Sequence, residues 1–151
     1  MGLGDQSKEG FLLTRERKIR DVMTPSPRTV ESSTPVQEAA KLMRSEDVGA
    51  IPIVENGSLV GIVTDRDIAI NLVAEGKDVS TPVVEIASRD LVTVDPDQSL
   101  DEALRLMAQH QVRRLPVVEE DGKPVGIVAQ ADIARQAEDQ KTGEVVEQIS
   151  K

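Results

Sequence analysis

Cysteine, tryptophan and tyrosine are absent from these 151 residues, and phenylalanine occurs once. The lack of cysteine excludes a disulfide scaffold, a thiolate metal site and a cysteine nucleophile. The lack of aromatic rings removes the stacking platform on which proteins hold single-stranded bases. No apolar run approaches the roughly 18 residues of a membrane span. Met1–Gly10 has no apolar core of a signal peptide, so a cytoplasmic protein is expected. Phosphate-loop and serine-elbow patterns (Gly-x-x-x-x-Gly-Lys, Gly-x-Ser-x-Gly) are missing too, and His110 is the only histidine. A non-enzymatic role is expected.

What is present is charge and aliphatic bulk. Twenty-seven acidic against 18 basic residues leave a net charge of −9. That balance disfavours a polyanion partner, whose affinity comes from clustered Lys and Arg. A nucleic-acid face would have to be assembled from Arg15, Arg17, Lys18 and Arg20. Acidity with few aromatics can mean disorder. Val, Ile, Leu and Phe number 42, however. Their share lies above the roughly 20 % below which disorder is the default. The chain can bury an aliphatic core.

An internal repeat organises that core. Ile19–Glu55 aligns without gaps on Val83–Glu119, and after one extra residue Gly57–Ala69 aligns on Gly122–Ala134. Eighteen of 40 positions between Thr29 and Ala69 are identical, among them Val60-Gly61-Ile62-Val63 with Val125-Gly126-Ile127-Val128, and Asp67-Ile68-Ala69 with Asp132-Ile133-Ala134. Each copy predicts a short extended piece, a helix, two strands round a tight turn and a second helix. Thr34-Pro35 suits the opening of the first helix, with Pro35 in its first turn, and Ser99-Leu100-Asp101-Glu102 has the form of a capping box. Asn56-Gly57 and Asp121-Gly122 are hairpin turns. The expected class is α+β: two pseudo-twofold-related β-α-β-β-α repeats, over 19–76 and 77–137, packed through their sheets. A unit of this size buries little surface alone, so one shared core is expected. The polar stretches 1–18 and 138–151 are expected to be tails.

The ordered motifs Asp21-Val22-Met23-Thr24-Pro25, Val48-Gly49-Ala50-Ile51-Pro52 and Gly61-Ile62-Val63-Thr64-Asp65-Arg66-Asp67, with their duplication, resemble the CBS domain, and the pair resembles a stand-alone Bateman module. The resemblance spans roughly Ile19–Arg135. It implies regulatory binding of an adenosine nucleotide (AMP, ADP, ATP, S-adenosylmethionine or an NAD-type ligand) in clefts between the repeats. It also implies a homodimer and an unidentified protein target, with no prosthetic group. One implied site combines Thr64 and Asp67 with Ser88, Val92 and the Val112–Pro116 segment. The other combines Asp132 with Thr24, Arg28 and the Val48–Pro52 segment.

The residues themselves are compatible with that chemistry. An aspartate in the first helical turn can accept from both ribose hydroxyls, while a hydroxyl and first-turn N–H groups can meet a phosphate. Equally, Thr64 can be a helix cap and Asp67 a first-turn acid. The hydroxyl does not recur, because Ala129 stands at the position of Thr64; the Asp67 site is therefore expected to be the better of two unequal ones. Val48, Ile51, Val112 and Leu115 can flank an adenine ring or simply fill the core. Arg113 and Arg114 are candidate phosphate partners, Arg66 a weaker one. Asp65 could meet a metal bridging a polyphosphate, although no ligand spacing supports a protein metal site. His110 reads as a surface residue at a helix end. From a different class, the alternative is a ligand-independent dimerisation or docking module with vestigial clefts, to which Ala129 lends weight.

Overall fold

The computed structural model describes residues 17–138, so the two tails expected from the sequence fall almost wholly outside the described residues. The first repeat contributes β1 (Thr24–Pro25), β2 (Val30–Glu31), α1 (Val36–Glu46), β3 (Ala50–Glu55) and β4 (Ser58–Thr64). Its second helix, α2, opens as a single α-turn over Asp65–Asp67 and continues with π-helical winding over Ile68–Val73. The second repeat contributes α3 (Leu100–His110), β5 (Arg114–Val118), β6 (Pro124–Ala129) and α4 (130–138). Short 3-10 turns occupy Ile19–Asp21 and Val83–Glu85.

Local chemistry accounts for most of these boundaries. Asn56 and Gly57 both take positive φ (52° and 82°). That conformation turns β3 into β4 in the sense matching strand twist. Ser99 caps α3 by accepting the Glu102 N–H at 3.1 Å. The reciprocal half of the expected box does not form, because the Glu102 carboxylate holds Arg105 instead (2.9 Å). Pro35 is the residue before α1, not in its first turn, and caps nothing with its side chain. The connector between α2 and α3 supplies what it lacks: the Val36 and Gln37 N–H groups donate to Thr81 O and Val79 O at 2.8 and 3.0 Å. Both helices end on a non-glycine residue in the left-handed region, Asp47 and Gln111 (each φ 54°). The next N–H groups, of Val48 and Val112, turn back to Met43 O and Met107 O, each at 3.0 Å. This motif closes the last helical turn and sends each chain sharply toward the following strand.

Two three-stranded sheets result, ordered β2-β3-β4 and β1-β6-β5. The second is built across the repeats: β1, at the start of repeat one, pairs antiparallel with β6 of repeat two, Thr24 opposite Ile127. The pseudo-equivalent exchange places Ser88, in the leading segment of repeat two, against Ile62 of β4 through two 3.1 Å hydrogen bonds. Glycine permits both approaches. A Cβ on Gly61 would stand 3.1 Å from Ser88 O, and one on Gly126 3.1 Å from Thr24 O and against the Met23 thioether.

The buried side chains form two clusters, not one shared core. Val36, Ala39, Met43, Ile51, Ile53, Val63 and Leu72 are joined by Val83 and Ile86 from the connector. Leu100, Ala103, Met107, Leu115, Val117, Val128 and Ile133 are joined by Ile19 and by Val94. Each sheet packs its own helices, and the exchanged segments complete the two cores reciprocally. The hairpin tips also meet, with the Leu59 N–H donating to Gly122 O at 3.0 Å. No helix among the described residues is long and apolar enough to cross a membrane.

Candidate ligand clefts between the repeats

The exchange leaves two related cavities where the repeats meet. The first, about 380 Å³, lies between the loop that follows β1, the exit of α1 and the end of β6. Thr24, Arg28, Val48, Ala50, Ala129 and Asp132 line it. The second, about 350 Å³, is bounded by Ile62, Ser88, Asp90, Val92, Val112 and Leu115. The expected partnership of Asp132 with Thr24, Arg28 and Val48 therefore occurs within one cavity. So does that of Ser88 with Val92, Val112, Arg114 and Leu115. The αL helix exits are what bring Val48 and Val112 to the cleft mouths, where both stay more than a third exposed.

Thr64 and Asp67 stand elsewhere. They form a capping box, the Asp67 N–H donating to Thr64 Oγ1 (3.1 Å) and the Thr64 N–H to Asp67 Oδ2 (3.0 Å). Neither lines the second cavity. Asp132, with Ala129 in place of a threonine, has no such partner and holds Arg135 at 3.4 Å instead. Strand alternation sorts the remaining candidates. Ile51 points away from the cleft into the first core, fully buried, while its neighbour Ala50 faces the cavity. At the same place in repeat two, Arg114 faces the cavities and Leu115 is buried, its edge reaching the second cleft. Arg113 and Arg66 line neither cleft.

Arg28 is half-committed, its guanidinium 3.5 Å from Glu46 of α1. His110 is exposed at the end of α3 as expected, and it also lines the second cleft. The Pro25-Ser26-Pro27 run of the first cleft went unread in the sequence. Its signal was two prolines flanking a serine that takes φ 49°. Among the described residues no group of three or more His, Asp or Glu is placed to hold a metal.

The CBS-domain family model matches residues 19–74 and again 83–139. The chain belongs to the CBS-domain family. This CBS pair is 47 % identical over 133 residues to the CBS domain-containing protein YhcV of Bacillus subtilis, covering 87 % of this chain and 94 % of that one. It also resembles solved structures, three of which bear on its ligands. Hypoxic Response Protein I, solved with two coordinated zinc ions, is 41 % identical with a TM-score of 0.71 over 79 % of this chain and 98 % of its own. The CBS pair of protein MJ0100, in complex with 5′-methylthioadenosine and S-adenosyl-L-methionine, is 30 % identical with a TM-score of 0.76, covering 82 % and 98 %. CBSX2 in complex with AMP is 29 % identical with a TM-score of 0.70, also covering 82 % and 98 %. CBS pairs of this fold thus hold adenosine ligands. The zinc of the first neighbour has no matching donor cluster among the described residues here.

Proposed function

We propose that this CBS pair is a non-catalytic regulatory module that binds an adenosine-containing ligand between its repeats. The observation that carries the reading is the first cleft, which gathers Asp132, Thr24, Arg28 and Val48 from both repeats around one cavity large enough for a nucleoside. The Asp132 carboxylate would accept from ribose hydroxyls, Val48 would cover a face of the base, and Arg28 would meet a phosphate. The adenosine ligands of MJ0100 and CBSX2 support the ligand class.

The arrangement favours the first cleft over the second, reversing the order expected from the Thr64 hydroxyl. Asp67 spends one carboxylate oxygen on the backbone of its own cap, whereas Asp132 lies in the cavity wall. Signalling would follow from differential affinity: a ligand that bridges β1, α1 and α4 favours one relative placement of the repeats, and a ligand indifferent to that placement regulates nothing. The apolar Ile70 and Val73, 52 % and 68 % exposed on α2, support a homodimer built on that helix.

A second reading, a docking module with vestigial clefts, is favoured by the closed Thr64–Asp67 pair. A thermal-shift panel of AMP, ADP, ATP, S-adenosylmethionine and NADH decides between them. A ligand at 100 times its Kd adds about 2.7 kcal/mol to stability. That raises the melting temperature by several degrees in a domain of this size. The nucleotide reading expects such a rise in the wild type and its loss in Asp132→Ala, with Asp67→Ala weakening it less. No rise with any of the five leaves the docking reading.

A further inference from the structure

Among the described residues, Arg114 is the one that lines both clefts. Its counterpart in the first repeat is Ala50, which faces the first cleft only. The pseudo-twofold relation therefore holds for the backbone and fails for this side chain: of two equivalent positions beside the repeat junction, one is long and cationic. The reach is visible at Gly49. A Cβ there would stand 3.1 Å from Arg114 Nη2 and 2.9 Å from Asp65 Oδ2, so the guanidinium has crossed from β5 to the exit of α1. A methyl group at position 49 would make the Asp65 carboxylate or the Arg114 guanidinium shift.

The clefts do not depend on Arg114 equally. Arg28 also lines the first. In the second, Arg114 is the sole Lys or Arg of the lining among the described residues, beside His110 and Asp90. We propose that Arg114 is a shared anion partner that couples the two clefts negatively, so that a phosphorylated ligand in one lowers the affinity of the other. This deepens the nucleotide reading and rests on it. One guanidinium between two anions can satisfy the first fully. The second anion then meets an already neutralised partner and the repulsion of the first. A ligand without phosphate has no claim on Arg114 and fills the clefts independently.

The test is a methyl NMR titration of the whole chain in which Val48 reports the first cleft and Val112 the second. AMP, ATP and adenosine are the probes, all at one fixed pH. In the wild type, AMP or ATP is expected to fill the clefts with curves that are not simple hyperbolas. Occupation of one should weaken the other at least about fivefold, the lower end of coupling between linked sites. Adenosine should give two simple curves. In Arg114→Ala, an exposed substitution that leaves both cores intact, the phosphorylated probes should also give simple curves. Affinity in the second cleft should drop roughly tenfold or more, as for lost hydrogen bonds to a charged group. The first should weaken less, because Arg28 remains. Independent filling by AMP and ATP in the wild type, or an Arg114→Ala effect confined to one cleft, overturns the sharing and leaves nucleotide binding standing. A response at the same single valine in wild type and variant overturns it too. No response at either valine with any probe overturns the nucleotide reading and this inference with it.

Discussion

Glycine and the exchanged segments depend on each other at single-residue resolution. Gly126 leaves room for Met23 and the Thr24 carbonyl, and a methyl group there must displace the Met23 thioether and press on that carbonyl. Gly126→Ala is expected to destabilise by about 1–3 kcal/mol, the usual cost of overpacking, read as a lowered urea midpoint. Ser99→Ala should cost about 0.5–2 kcal/mol through loss of its cap to Glu102, with α3 fraying first in hydrogen exchange. Ile19 is fully buried, yet it belongs to the second core and not to the repeat it introduces. Truncation to alanine should therefore remove about 2–5 kcal/mol and lower amide protection chiefly in α3, β5 and β6. Protection lost chiefly in α1 and β3 would show the cluster assignment to be wrong.

The elements differ in how far local pattern could reveal them. The apolar sets Val36, Ala39, Ala40, Leu42, Met43 and Leu100, Ala103, Leu104, Leu106, Met107 have helical spacing and mark α1 and α3; the first, second and last of each set are its buried members. The Asn56-Gly57 turn and the Thr64 cap were legible for the same reason: their chemistry is complete within four residues. The exchange was not legible. Thr24 pairs with Ile127 and Ser88 with Ile62, and no local rule links partners so far apart in the chain. The repeat suggested pseudo-symmetry without saying which strand edge each leading segment would join. Nor did composition forewarn of the π-helical winding in Ile68–Val73, for which we have no physical account.

Of the two roles open to Ile51, cleft wall or core, a one-residue alternation decides. Hydrophobicity drew attention to Ile51, but alternation turned it inward and gave the cleft to the unremarkable Ala50. Electrostatics at this scale also makes a prediction. The Arg20 guanidinium bonds the Asp97 carboxylate at 2.9 Å, tying the Ile19–Asp21 turn to the loop before α3. That hydrogen bond holds Asp97 below the usual carboxylate range. Because the folded value is depressed, the contribution is complete above the unfolded carboxylate value and disappears as pH falls through the folded one. Arg20→Gln should therefore flatten the acid limb of stability against pH, measured by urea unfolding, while leaving behaviour under alkaline conditions unchanged. Both groups are exposed, so high salt should diminish the difference.

For the whole molecule, reciprocal completion of the two cores predicts one unfolding transition. Loss of either core strips the other of its exchanged segment, so circular dichroism and hydrogen exchange should report the same midpoint. The prediction sharpens with fragments of similar length. A piece spanning 26–88 carries the first core together with Val83 and Ile86, whereas 17–76 lacks both. The former should show dispersed amide resonances and the latter should not, and equal behaviour would mean that the exchanged residues are dispensable. The same architecture sets an order of events on the ribosome, where amino-terminal units ordinarily fold first. Here Val83 and Ile86 must leave the exit tunnel before the first core can close, and Ile19 must wait until residues near Ile133 have been made. One of the earliest described residues to be synthesised is thus among the last to find its place, and until then its apolar side chain is exposed to whatever chaperone is at hand.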